Sequence, residues 1–222
     1  MGTICLQGGR EFGASCRDLD LEVLRRTPLG PVVVLAGAAS PGRDYGRAAG
    51  NAARYYAGLG GDAALPAPDP REDLDGCLEV LAQAQLVVLP GGSPTGLLAV
   101  LVDLADGAVG DALRDRLDAG ATVSGASAGA MVLCSHVWRA DGPGDVVAGL
   151  GLVPGLALPH HDPTSPRRVP APADVPRWGL PECGGVIVDE DGVVAAGSGT
   201  PQLLRGDEVV DLPRDAPVPL PD

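Results

Sequence analysis

Thr122-Val123-Ser124-Gly125-Ala126-Ser127-Ala128-Gly129-Ala130-Met131-Val132-Leu133-Cys134 is the stretch from which the rest of the chain can be read. A β-branched pair runs into a Gly-x-Ser-x-Gly turn, and an Ala/Met/Val/Leu run follows. That order describes a strand, a sharp elbow and a helix, a layout that lifts the Ser127 hydroxyl above the end of a sheet. Gly125 and Gly129 suit it, because Cβ atoms beside so tight a turn would collide with the strand and the helix. The turn also aims the N–H of Ala128 at the site and sets the positive end of a helix beneath it. A glycine-rich turn with Ser127 merely capping the helix uses the same letters, so the flanking chain has to decide.

Strand and helix signals alternate on the N-terminal side of the elbow. Short apolar strands are expected over residues 3–6, 32–36, 63–65, 86–89 and 122–124, and helices over 18–26, 44–59, 71–83, 95–104 and 109–119. Strands this short, separated by helices, imply right-handed crossovers and a parallel sheet with helices on both faces. The ligand crevice of such a sheet lies beyond the carboxyl ends of its strands. The turns Gly8-Gly9, Gly91-Gly92 and 125–129 should all open there. Beyond Gly142 the composition changes, and prolines crowd residues 159–182. Four short strands, over 186–188, 193–196, 203–205 and 209–212, alternate with Asp-Gly, Gly-Ser-Gly and Gly-Asp turns. The expectation is one α/β domain over residues 1–212, a parallel-sheet three-layer sandwich whose C-terminal antiparallel β meander closes one sheet edge. A loose Pro/Asp-rich tail, 213–222, would follow.

Composition excludes several function classes. A chain of 222 residues can bury one substantial core, and with 45% hydrophobic but only 3% aromatic residues that core is built from Ala, Val and Leu. All 16 basic residues are Arg, which excludes a lysine base, a Schiff base and a Ser–Lys dyad. A net charge of −13 with no basic run argues against nucleic acid and anionic membranes as partners. It also repels acidic small substrates at long range, so binding one requires a local arginine. Five scattered cysteines indicate neither a disulfide framework nor a metal site, and nothing calls for a cofactor. With no signal-peptide pattern at the N-terminus and no apolar run of membrane-spanning length, a cytoplasmic protein is expected.

A serine hydroxyl needs a base, and the base works best with a third group holding its ring. The chain has three histidines. His136 falls near the end of the elbow helix, too far along it to reach Ser127. His160 and His161 follow an expected strand, where an imidazole can enter the crevice. Among later acids, Asp162, Asp174 and Glu182, the last sits between turn formers in Gly-Leu-Pro-Glu-Cys-Gly-Gly, held by rigid backbone.

Taken together, Gly-Ala-Ser-Ala-Gly-Ala, Leu-Pro-Gly-Gly-Ser-Pro-Thr-Gly-Leu-Leu, Gly-Leu-Gly-Leu-Val-Pro-Gly followed by Pro-His, and Gly-Leu-Pro-Glu before the meander resemble the dipeptidase E and cyanophycinase family. These are serine peptidases on a flavodoxin-like, class I glutamine amidotransferase-like fold, and the resemblance spans nearly the whole chain, about residues 3–212. It implies Ser127 as nucleophile, His160 as base and Glu182 as the group orienting it. It also implies an oxyanion hole from the N–H groups of Gly92 and Ala128, each such donor typically worth ~3 kcal/mol of barrier. His161 stays open as an alternative base and Asp141 as an alternative acid. The loop between His160 and Glu182 is shorter than in dipeptidase E, whose segment there helps recognise an N-terminal aspartate. Arg167 and Arg168 are the candidates to pair with a substrate carboxylate instead.

The reading that follows is a serine-type peptidase cleaving small peptides, aspartyl or isoaspartyl dipeptides among them, through an acyl-enzyme. A glutamine amidotransferase-like enzyme is the alternative, but that chemistry normally uses a cysteine at the elbow. A non-catalytic binding protein on the same fold is the third. The expected partner is a small peptide substrate, and assembly into a homodimer is left open.

Overall fold

Two apolar faces alternate along every central strand, and they fix the architecture seen in the computed structural model, which describes all residues except 1, 62, 140, 166–168, 171, 173, 215 and 222. Strands β1 (Thr3–Gln7), β2 (Val32–Val34), β3 (Leu65–Pro66), β4 (Leu86–Leu89) and β5 (Thr122–Ala126) are mutually parallel and stand in the order β1-β5-β4-β2-β3. Ile4, Leu6, Val33, Val87 and Leu89 enter one core, while Cys5, Val32, Val34, Leu86 and Val88 enter the other. Side chains alternate with period two, so a sheet apolar on both sides must be covered on both sides. Helices α1 (Arg17–Arg26) and α2 (Arg43–Gly58) cover one face with Leu19, Val23, Ala49, Ala52 and Tyr56. Helices α3 (Leu74–Leu81), α4 (Pro94–Leu98), α5 (Ala108–Asp118) and α6 (Ala128–Leu133) cover the other.

Local chemistry trims the expected helices. α3 begins only after Asp73, whose carboxylate accepts the Gly76 N–H at 3.0 Å and caps the helix. The helix expected over 95–104 is two pieces, α4 capped by Ser93 and a π-helical turn over Ala99–Asp103.

The chain after α6 builds a second sheet. β6 (Cys134–Trp138), β7 (Val146–Ala148), β8 (Val153–Pro159), β9 (Arg177–Leu180), β12 (Gln202–Arg205) and β13 (Glu208–Asp211) run in the order β13-β12-β9-β8-β6-β7, with β6, β8 and β9 parallel. Between β9 and β12 the chain returns to the first sheet, where β10 (Gly184–Asp189) pairs antiparallel with β1 and β11 (Gly192–Gly197) with β10. Of the four strands expected as one meander, two therefore close the edge of the main sheet, and the other two extend the second sheet, β12 pairing with β9 and β13 with β12. α6 contacts both sheets and every one of its residues is buried, which suits a helix apolar all round.

Two expectations are corrected here. The elbow helix stops at Leu133, and His136 lies on β6, because Cys-Ser-His-Val-Trp pairs with β8 and β7 instead of prolonging the helix. The tail is tied down: Val218 exchanges backbone hydrogen bonds of 2.8 and 2.9 Å with Val193, and Pro213 accepts the Ala195 N–H. Among the described residues no helix is long and apolar enough to cross a membrane.

A carboxylate sits inside the face covered by α1 and α2. Asp20 is 1% exposed and accepts the hydroxyls of Tyr55 and Tyr56 at 2.8 and 3.0 Å. Burial pushes its carboxyl up from 3.8 to about 6, against the lowering effect of the two hydroxyls. The folded state then keeps a proton that the unfolded chain releases, so stability should fall as pH rises through this window and level off above it. We expect the Tm of the wild type, measured relative to Asp20→Asn, to decline between about pH 4 and pH 6 and to stay flat at higher pH. A difference that does not vary with pH would show that Asp20 titrates as it does in the unfolded chain.

Candidate active site

Ser127 leaves β5 with φ 50° and ψ −110°, a conformation sparsely populated by residues bearing a side chain. It is held there by its N–H, which donates to the Gln7 carbonyl at 2.9 Å, and by close packing on both sides. A Cβ on Gly125 would lie 2.4 Å from the Gly129 carbonyl carbon, and one on Gly129 would lie 2.1 Å from the Leu89 oxygen. The two elbow glycines are therefore required by contact with each other and with β4. Ala128 opens α6, and an amide in that first position has no acceptor within the helix.

β8 delivers His160 to the same place. Its backbone is also left-handed, φ 54°, and its N–H donates to the Gly8 carbonyl at 2.8 Å. The imidazole Nε2 lies 3.2 Å from the Ser127 Oγ, and Nδ1 lies 3.3 Å from the Glu182 Oε1. Both are at the long end of hydrogen bonding. Glu182 follows β9, and the next residue, Cys183 (φ 55°), donates its N–H to the Gly9 carbonyl at 3.0 Å. The other Glu182 oxygen meets the Arg10 Nε at 2.6 Å. Those two side chains are 41% and 71% exposed, so the pair directs the carboxylate more than it stabilises the fold.

The adjacent His161 points the other way. Its N–H donates to the Leu180 carbonyl, its Nε2 lies 2.9 Å from the Gln202 Oε1, and its ring packs against Gly179. Asp141 is not at the imidazole: its carboxylate takes the Thr95 hydroxyl at 2.8 Å and the Ser93 hydroxyl. His136 pairs with the Ser135 hydroxyl on β6, and Asp162 accepts from its own turn at Thr164. Arg167 and Arg168 lie outside the described residues.

A cavity of about 280 Å³ opens beside Ser127 and His160. Pro94, Met131, Trp138, Leu158 and Pro159 make its apolar walls, Gly92 lines it, and Asp141 is the carboxylate in it. Burial pushes the Asp141 carboxyl up, but the Ser93 and Thr95 hydroxyls outweigh that and hold it below the ordinary carboxylate value. A polar hollow of about 340 Å³ lies between α1 and the β10–β11 hairpin, away from the elbow, where Arg25 and Arg26 pair with Glu22. Among the described residues no group of three His, Cys, Asp or Glu side chains is placed to hold a metal ion.

Two contributors went unread in the sequence, Arg10 and Glu11. Glu11 Oε1 accepts the Gly91 N–H at 2.8 Å, and the Ser93 N–H donates to the Ala38 carbonyl at 2.9 Å. The amides either side of Gly92 are thus pinned. Gly92 itself has φ 145°, and a Cβ there would fall 2.5 Å from the Ala38 oxygen. The signal available was position alone: Arg10-Glu11 directly follows the Gly8-Gly9 turn that ends β1.

Comparison with known proteins places this geometry in context. The sequence model of peptidase family S51 matches residues 62–197, more than half of the chain. Among curated proteins none matches significantly in sequence. A solved peptidase from an acI-B1 Actinobacterium shares the fold at a TM-score of 0.80 and 18% identity, covering 99% of this chain and 97% of that one. A putative peptidase E protein from Listeria monocytogenes EGD-e aligns at a TM-score of 0.53 and 14% identity, covering 95% and 98%.

The Gly8-Gly9 turn yields a direct test. A Cβ on Gly9, which has φ 123°, would sit 2.3 Å from the His160 Cε1. Gly9→Ala should therefore displace the imidazole and slow fluorophosphonate labelling of Ser127 by about 100-fold, the scale set by an ångström of misplacement, with the fold retained by circular dichroism. Unchanged labelling would mean that the turn does not set the position of His160.

Proposed function

The chain belongs to peptidase family S51, and on that premise we propose that it hydrolyses short peptides through an acyl-enzyme on Ser127. The observation that carries the proposal is the relay from the Ser127 Oγ to the His160 Nε2 at 3.2 Å and from the His160 Nδ1 to Glu182 at 3.3 Å. His160 takes the serine proton as the hydroxyl attacks the peptide carbonyl, then returns it to the leaving amine. Glu182 holds the ring in the tautomer that leaves Nε2 free to accept and stabilises the imidazolium as it forms. The carbonyl oxygen becomes an anion in the tetrahedral intermediate, and the amides of Gly92 and Ala128 receive it. Water then attacks the ester by the same route.

The cavity supports a small substrate, since about 280 Å³ lies just below the usual range of small-molecule pockets. The amidotransferase reading has less support. Cys134 is buried at the start of β6, donates to the Ala130 carbonyl, and burial pushes its thiol up to about 12. A thiol held neutral inside the core is no nucleophile. An aspartyl preference, as the resemblance implies, would rest on Arg167 and Arg168.

Ser127→Ala should abolish hydrolysis of a dipeptide panel, by at least about 10⁴-fold in kcat, with Tm nearly unchanged. His160→Ala should match it, whereas His161→Ala should keep most of the turnover and lose stability instead. Similar mild losses in the two histidine variants would overturn the assignment of the base.

A further inference from the structure

Asp141 lines the cavity beside Ser127, and the donors that hold its carboxyl below the ordinary carboxylate value keep it ionised. No arginine pairs with it among the described residues, and the nearest in sequence, Arg139, is committed to Asp145 through bonds of 2.9 and 2.6 Å. The Ser93 and Thr95 hydroxyls, with the backbone N–H groups of Thr95 and of Asp141 itself, fix the carboxylate in place. Around it are Pro94, Met131, Trp138 and Leu158, which offer no donors of charge. A fixed anion beside apolar walls is a built complement for a cation carried by the ligand.

Resting on the reading of Ser127 as nucleophile, we propose that Asp141 binds the α-ammonium of an unblocked peptide N-terminus, so that the enzyme removes a neutral, apolar first residue. The connectivity favours this cation over a basic side chain. Ser93, which holds Asp141, directly follows Gly92, the amide assigned to the carbonyl oxygen. The α-nitrogen of the residue being cleaved is two bonds from the carbonyl carbon, so anchoring that oxygen at Gly92 brings the ammonium toward the Ser93–Asp141 pair. The side chain is then left to the Met131, Trp138 and Leu158 walls. An aspartyl side chain in the same cavity would meet a like charge, contrary to the aspartyl preference expected from the resemblance.

The experiment compares Leu-Ala with N-acetyl-Leu-Ala, and Leu-Ala with Lys-Ala and Asp-Ala, on wild type and Asp141→Asn. Wild type should favour the free over the acetylated peptide by roughly 10- to 100-fold in kcat/KM, the range of one charge-assisted hydrogen bond, and should favour Leu-Ala over Asp-Ala. Asp141→Asn should erase most of that discrimination by raising KM for the free peptide. A fluorophosphonate carries no ammonium, so its labelling of Ser127 should be preserved in Asp141→Asn, and wild-type labelling that vanishes in Ser127→Ala confirms the nucleophile separately. If wild type is not labelled, the serine-peptidase reading fails. Four outcomes overturn the Asp141 proposal alone: equal cleavage of free and acetylated peptides by wild type, a preference for Lys-Ala that survives acetylation of its α-amine, slowed labelling in Asp141→Asn, and equal loss on both peptides with a lowered Tm. The third would make Asp141 part of the proton relay, and the fourth would make it a cap for α4.

Discussion

Three successive carbonyls at the end of β1, those of Gln7, Gly8 and Gly9, accept the backbone N–H groups of Ser127, His160 and Cys183 at 2.9, 2.8 and 3.0 Å. Each recipient belongs to a different part of the chain, and each has a positive φ that an unsupported residue would relax. Neutral backbone hydrogen bonds contribute about 1 kcal/mol each, comparable with the roughly 1–3 kcal/mol stored in such a conformation. The tripeptide thus holds the strained corners together and sets the serine, the imidazole and the segment bearing the carboxylate against one another. A side chain at Gly8 would run into the Pro181 carbonyl, and one at Gly9 would have to displace the His160 ring.

The two sheets follow from that constraint. β5 and β1 are neighbours in the main sheet, so Ser127 and the tripeptide arrive side by side. β8 and β9 are neighbours in the second sheet, so His160 and the Glu182 segment arrive together as well. α6 lies between the sheets and connects directly to β6, giving the short path by which the chain passes from one to the other. β10 then returns beside β1, and Gly8 N–H donates to the Gly184 carbonyl at 2.9 Å to close the loop around the site.

Much of this was legible in the sequence because it depended on local pattern. Short β-branched runs marked β1, β2, β4 and β5, and the three Gly-rich turns were correctly expected at one end of the sheet. The order Gly-x-Ser-x-Gly described the elbow, since contact between Gly125 and Gly129 is encoded within five residues. What escaped was non-local. Nothing in Cys-Ser-His-Val-Trp distinguishes the last turn of a helix from a strand until β8 is present to pair with it, so His136 was placed on the wrong element. The division of the C-terminal strands between two sheets, and the docking of Val218 on β11, likewise depend on which edge is free. Glu11 and Arg10 act on Gly91 and Glu182, residues far along the chain, and no spacing rule links them.

The cavity walls come from elsewhere. Pro94 is on α4, Trp138 on β6 and Leu158 on β8, and none of them belongs to the tripeptide or its three amide donors. Exchanges at these wall positions alter the size and polarity of the space beside Ser127 while Ser127, His160 and Glu182 keep their places. Descent with modification can therefore redirect what such a scaffold admits one side chain at a time, with the Ser127–His160–Glu182 arrangement inherited intact.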